Sequence, residues 1–179
     1  MSLFWATILS GLILIAIGGS YFLKGPKLKS WSIAWPRSQK AAIILFGPAS
    51  LWFLWLVLNL SKADFGDYKK LLLMGFGAVA IGSFFVVRDF LAARGLAVLM
   101  LLAARPLLDA AYMQFDDPQR LLLVVGVYIG IILALWVGAS PFRMRDFYTW
   151  LYAKEERART VGGAIAAYGI VLTITAFTY

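Results

Sequence analysis

Arg105 and Asp109 are the two side chains whose type and spacing could do chemistry in this sequence. They interrupt a long apolar run, and residues four apart share one face of an α-helix, where a guanidinium and a carboxylate can pair. A charge at the centre of a bilayer costs about 3 kcal/mol on insertion scales, so it indicates a function or a specific partner. Pro106 follows directly and predicts a kink that leaves the carbonyl of Leu102 without its helical hydrogen bond.

Three interpretations of this pair follow from the sequence. In the first, Arg105 and Asp109 face a polar cavity, where they bind an anion or relay a proton. In the second, they form an internal ion pair that locks their helix to its neighbours. In the third, the span ends near Ala104, and residues 105–115 are an interfacial segment with their charges in water.

The absence of histidine and cysteine limits the reactions open to the chain. Histidine is the commonest metal ligand and general base, and cysteine supplies thiolate nucleophiles and soft metal ligands. The sequence also shows no phosphate-binding glycine loop and no activated serine, and the adjacent Asp116 and Asp117 fit a solvated turn. We therefore predict a protein that is not an enzyme and has no metal or tightly bound cofactor.

Membrane-spanning helices are the elements that must position these residues. Hydrophobic residues make up 62% of the 179 residues and the mean hydropathy is +0.82, which leaves too few polar groups for a water-facing surface. The apolar runs do not alternate with polar residues as barrel strands do, so we predict an all-α integral membrane protein. Six transmembrane helices in a single domain of residues 1–179 are predicted at 3–23, 41–60, 71–87, 95–115, 121–138 and 161–179.

Lysine and arginine are concentrated in alternate loops. The segments 24–40, 88–94 and 143–159 hold 12 of the 17 basic residues, whereas the two loops between them hold four, including Lys62. Cytoplasmic loops carry such an excess, so these three segments are predicted to be cytoplasmic and both termini to face the opposite side. The net charge of +8 then orients the chain in a bacterial inner membrane and contacts anionic lipid, and no nucleic-acid partner is predicted.

A weak internal repeat is also present. The segment Gly19–Phe22 aligns without a gap with Ala139–Phe142, and Arg37 then aligns with Arg157. Duplicated hairpins occur in transporters, and they arise in other membrane proteins as well. The pattern is consistent with three consecutive helical hairpins, at about 1–60, 71–115 and 121–179.

Tryptophans predict where the helices meet the head-group layer. Trp31, Trp35 and Trp150 accompany the basic loops, and aromatic rings with a polar edge favour this layer. Trp52 and Trp55 form a stripe that fits an interfacial belt or a lipid-facing surface. Peripheral stacking of this stripe on a quinone or a pigment is the functional alternative.

Two further features predict the shape of the helices and their contacts. Gly126 and Gly130 are four apart, the spacing at which small residues let two membrane helices approach closely. Pro48 follows Gly47 and predicts a bend in the second span.

Two functions fit these observations. The first is a non-catalytic structural or accessory subunit of a larger membrane protein complex, respiratory, photosynthetic or secretory, with lipids and other membrane subunits as partners. The alternative is a small channel or transporter that uses the Arg105–Asp109 pair.

Overall fold

The computed structural model describes the backbone of residues 1–179 and every side chain except those of Lys62 and Glu155. The side chain of Lys62, one of the basic residues counted between the spans, therefore lies outside the described residues. Across the described chain 85% of the residues are helical and no strand is present. The α-helices are α1 (Leu3–Lys24), α2 (Lys29–Ala34), α3 (Gln39–Leu58), α4 (Lys69–Val86), α5 (Leu91–Ala111), α6 (Arg120–Ala139), α7 (Phe142–Leu151) and α8 (Glu155–Ala176).

Six of these helices confirm the predicted all-helical class. The helices α1, α3, α4, α5, α6 and α8 are each long and apolar enough to cross a membrane. Serine caps fix where two of them begin, because the side chains of Ser2 and Ser38 accept hydrogen bonds from the backbone N–H groups of Trp5 and Ala41. The cap at Ser38 starts α3 two residues before the predicted span at 41–60.

The fourth span lies closer to the N-terminus than the predicted 95–115, because α5 runs over Leu91–Ala111. The helix includes Arg94, a charged residue that a hydropathy criterion places outside a span. Beyond the helix, Met113 has a left-handed backbone with a φ of 62°, which a right-handed helix cannot contain. The helix is therefore displaced from the predicted span because it includes Arg94 at one end and cannot include Met113 at the other.

Proline does not terminate either helix that contains it. The helix α5 continues through Arg105 and Pro106, and the interpretation in which the membrane span ends near Ala104 stays a prediction. The helix α3 likewise continues through Pro48. Because proline has no N–H, each site leaves one carbonyl of the preceding turn without its helical hydrogen bond.

Glycines bring α1 and α8 together as an antiparallel pair. A Cβ added at Gly11 would lie 2.8 Å from the carbonyl oxygen of Gly169, and one at Gly18 would lie 2.6 Å from that of Gly162. Backbones come this close only where side chains are absent, so van der Waals contact between main chains holds this pair.

The helix α5 lies at the centre of the bundle, between α3 and α6, and it also contacts α1. The helix α4 lies at the edge and packs mainly against α3. The predicted hairpins are therefore not three separately packed units, since α1 packs mainly on α8 and α3 packs on α5. The internal repeat of the sequence stays a prediction.

The bundle has two ends. Segments 24–40, 88–94 and 143–159 lie at one end, which we call the basic end. Two of these segments are in contact there, since the Arg37 guanidinium lies 4.7 Å from the centre of the Phe90 ring. At the opposite end, which we call the terminal end, Leu3 belongs to an apolar cluster with Ala111, against which Tyr179 packs.

Candidate functional site

Arg105 and Asp109 line a groove that α5 forms with α3 and α4 near the terminal end. The groove has a volume of about 720 Å³. Aromatic and aliphatic side chains make up most of its walls, and its polar residues come from α5 and from the loop that follows α3. Besides the Arg–Asp pair, the lining includes Trp52, Trp55, Asn59, Asp64, Phe76 and Leu102.

The contact between Arg105 and Asp109 is loose. The Nε atom of Arg105 lies 3.8 Å from Oδ2 of Asp109, which is beyond the range of a good hydrogen bond. The two side chains are 79% and 71% exposed. Within the described residues neither has an ion-pair or hydrogen-bond partner on another helix, so the pair faces the groove and does not lock α5 to a neighbour.

Arg105 lies nearer the terminal end than the sequence suggested. It precedes the last residue of α5, Ala111, by six residues, which at 1.5 Å per residue is about 9 Å along the axis. The sequence placed Arg105 in the middle of the fourth span because the predicted span began four residues too late. A long arginine side chain at this depth can reach toward the head-group layer, which lowers the cost of its charge.

Toward the basic end, α3 and α5 touch. A Cβ added at Gly95 of α5 would lie 2.6 Å from the Cα atom of Phe46 on α3. Farther along the same two helices, Trp52 of α3 and Arg105 of α5 line the groove together with residues of α4. The groove therefore lies beyond a point of close backbone contact between α3 and α5.

The loop after α3 forms the polar margin of the groove. The hydroxyl of Ser61 donates a 2.9 Å hydrogen bond to Oδ2 of Asp64 and accepts a 3.2 Å bond from the Asp64 backbone N–H. The side chain of Asn59 donates to the carbonyl of Trp55 at 2.7 Å, which ties the loop to the end of α3. These bonds hold the Asp64 carboxylate at the margin of the groove.

The structure brings together candidates that were separate predictions from the sequence. Trp52 and Trp55 of α3 line the same groove as Arg105, Asp109 and Pro106 of α5. The groove thus combines an aromatic wall with a guanidinium and two carboxylates. This set can hold a polar or charged group beside an apolar one.

One tryptophan of the basic loops, Trp35, takes part in a hydrogen-bond network that the sequence did not predict. Trp35 is buried, and its indole N–H donates to the hydroxyl of Tyr148 at 3.1 Å. The fully buried hydroxyl of Ser32 lies 3.1 Å from that of Tyr21 and 3.0 Å from that of Tyr152. The network ties α1 and α2 to α7 and the loop after it.

Trp31 and Trp150 lie at the exposed margin of this region. The ring of Trp31 stacks on that of Trp35 with centroids 6.4 Å apart. The guanidinium of Arg157 lies 4.9 Å from the Trp150 ring, close enough for a cation–π contact. Both rings are largely exposed, as expected for residues at a head-group layer.

Burial changes the acid–base properties of two tyrosines in this network. It raises the pKa of Tyr148 strongly, and the neighbouring Tyr21 raises this pKa further. Burial also raises the pKa of Tyr152, an increase that its hydrogen bond with Ser32 opposes. Both hydroxyls therefore stay neutral at physiological pH and act as hydrogen-bonding groups.

Gly126 and Gly130 both face neighbouring side chains. A Cβ at Gly126 would lie 3.1 Å from the hydroxyl oxygen of Tyr168, which donates a 2.6 Å hydrogen bond to the carbonyl of Leu122. A Cβ at Gly130 would lie 3.6 Å from the terminal methyl group of Met100, an ordinary contact. The closer helix crossing at α1 and α8 was missed, because its glycines are seven residues apart rather than four.

Within the described residues, no cluster of three or more acidic side chains is placed to hold a metal ion. Contact with a quinone or a pigment at Trp52 and Trp55 stays a prediction. No protein-family model, curated protein or solved structure matches the chain.

Proposed function

We propose that the chain is a non-catalytic accessory subunit of a larger membrane protein complex, and that α4 is its contact with a transmembrane helix of a partner subunit. The observation that carries this proposal is the uncovered outer face of α4. None of its 18 residues is buried, although the helix is apolar from Leu71 to Val86 except for Ser83.

The contact that α4 makes within the chain is narrow. Two aromatic pairs attach it to α3: Phe53 packs edge-on against Phe76 with centroids 4.9 Å apart, and Phe46 packs against Phe84 at 5.5 Å. A helix held along one side in this way leaves the rest of its surface available to lipid or to another protein.

Glycine spacing supports a protein partner on that surface. At the α1–α8 crossing, Gly11 and Gly18 are seven residues apart, and each meets the backbone of the facing helix. Gly75 and Gly82 of α4 have the same spacing, and a Cβ added at either would meet nothing within 4 Å. Seven residues are close to two helical turns, so this pair shares a face, which Ala78 extends. Small residues let membrane helices approach closely, a property of no use against lipid.

The test uses the intact chain, extracted from its source membrane in mild detergent. Gly75→Leu combined with Gly82→Leu should leave the chain folded but release unrelated chains that copurify with the wild type in a fixed ratio. Gly77→Leu is the control for position, because it adds one leucine to the same span about 200° from Gly75 around the helix. A wild-type particle containing only this chain, or equal loss of partners in the control, would refute the proposal.

We also propose that the basic end is cytoplasmic and that the membrane is a bacterial inner membrane. The excess of Lys and Arg in segments 24–40, 88–94 and 143–159 supports this orientation. Contacts among the three segments support their lying on one side, since Arg37 meets Phe90 and Ser32 meets Tyr152. A reagent that labels cysteines from outside should react with a cysteine introduced at Ser61 and not with one introduced at Ser30.

The close contact between α3 and α5 at the basic side of the groove disfavours the alternative of a channel or transporter. A path along Arg105 would have to pass the contact between Gly95 and Phe46, where two backbones meet. We therefore expect no solute flux in liposomes that contain the purified chain alone.

A further inference from the structure

The groove between α3, α4 and α5 holds a cation without a hydrogen-bonded partner. Within the described residues the guanidinium of Arg105 has no ion-pair contact closer than the 3.8 Å between its Nε atom and Oδ2 of Asp109. It lies about 9 Å from the end of its helix, beside apolar side chains such as Leu102. A guanidinium at this depth requires water or an anionic group to satisfy its N–H donors.

We propose that this groove binds the head group of one phospholipid that carries both a phosphate and an ammonium group. Arginine presents a planar set of donors that matches two oxygens of one phosphate, so Arg105 binds the phosphate. The inference stands on the groove and is independent of the accessory-subunit proposal, which stands on the Gly75–Gly82 face of α4.

The carboxylates of the groove select the second charge of the ligand. Asp109 lies one helical turn from Arg105, and Asp64 lies at the margin of the same groove. The three side chains together carry one positive and two negative charges. An anionic lipid would bring its phosphate to two carboxylates without a compensating cation, whereas an ammonium group beside the phosphate pairs with them.

The walls of the groove favour a lipid over a soluble molecule with the same charges. Trp52, Phe76 and Leu102 offer apolar surface directly beside the charged residues. The volume of about 720 Å³ suits a head group with the first part of an acyl chain, within the range of about 300–1,000 Å³ for ligand sites. Tryptophan at this level is also typical of the membrane interface.

The experiment measures which lipid stays bound. The purified chain is reconstituted in nanodiscs with equal amounts of phosphatidylethanolamine and phosphatidylglycerol, exchanged into detergent, and analysed by native mass spectrometry. We expect phosphatidylethanolamine to be retained at one molecule per chain. Arg105→Gln should lower this retention about tenfold, as expected for the loss of a charge-assisted hydrogen bond. Asp109→Asn should lower the preference for phosphatidylethanolamine over phosphatidylglycerol.

Two controls make the result specific. Arg88→Gln removes an exposed arginine at the basic end and should leave the retained lipid unchanged. Soluble glycerophosphoethanolamine carries the same two charges without acyl chains and should not displace the lipid.

Three outcomes would overturn the proposal. One is equal retention of the two lipids by the wild type, a comparison that needs no variant to fold. Another is unchanged retention in a folded Arg105→Gln chain. The third is displacement by glycerophosphoethanolamine, which would assign the groove to a soluble ligand. None of them bears on whether partner chains copurify through α4.

Discussion

Gly18 and Gly19 are adjacent on α1 and differ sharply in what an added methyl group would meet. A Cβ at Gly18 would lie 2.6 Å from the carbonyl oxygen of Gly162 and 2.9 Å from the Cα atom of Ala166, both on α8. A Cβ at Gly19 would meet nothing within 4 Å. Gly18→Ala and Gly19→Ala therefore form a matched pair that tests the α1–α8 crossing with one carbon atom.

The expected magnitude follows from these distances. To bring the 2.6 Å approach at Gly18 to 3.4 Å, where ordinary contact begins, the helices must separate by about 0.8 Å. A gap of about 0.5–1 Å loses a quarter to a half of each dispersion contact, and overpacking of a tight site costs about 1–3 kcal/mol. Gly19→Ala should instead stabilise the helix by about 0.5–1 kcal/mol, because alanine loses less backbone entropy.

Because the gain in backbone entropy applies to both variants, they should differ by the overpacking cost alone, about 1–3 kcal/mol in the free energy of unfolding, with Gly18→Ala the less stable. Unfolding by sodium dodecyl sulfate in mixed micelles, followed by circular dichroism, measures this difference. If Gly18→Ala is as stable as Gly19→Ala, main-chain contact between α1 and α8 does not stabilise the fold, and the reasoning fails.

The network at the basic end gives two more predictions. Ser32→Ala leaves the hydroxyls of Tyr21 and Tyr152 without their shared partner and should lower the free energy of unfolding by about 1–3 kcal/mol, whereas Ser30→Ala on the exposed side of α2 should have little effect in the same assay. Burial raises the pKa of Tyr148 above its ordinary value of 10.0, so the neutral phenol contributes stability that is complete below pH 10 and lost as the pH rises further. Tyr148→Phe should make unfolding less sensitive to pH above 10, and an alkaline titration of the wild type that shows every tyrosine ionising near pH 10 in the folded chain would contradict this.

The six long helices could be predicted from the sequence because hydropathy is a property of each segment by itself. Their contacts could not, because they depend on which small residues face each other across the bundle. Gly126 and Gly130 have the four-residue spacing that is typical of membrane helix interfaces, and they do lie against other helices. The close crossing of α1 and α8 nevertheless uses Gly11 and Gly18. Their seven-residue spacing becomes informative only when the facing glycines of α8 are known.

The groove was only partly predictable for a related reason. Arg105 and Asp109 stand out as charges in an apolar run, but Asp64 belongs to a loop and has no distinguishing feature in the sequence. Its place in the same groove as Arg105 depends on how α3, α4 and α5 pack together.

The exposure of the groove explains how a charge is tolerated in α5. If the guanidinium of Arg105 were buried against apolar side chains, it would cost several kcal/mol, of the order expected for an unpaired buried charge. In the groove the side chain of Arg105 is instead 79% exposed, about 9 Å from the end of its helix. A cation that is costly in the middle of a span becomes, at this depth and in this groove, a group available to bind a phosphate.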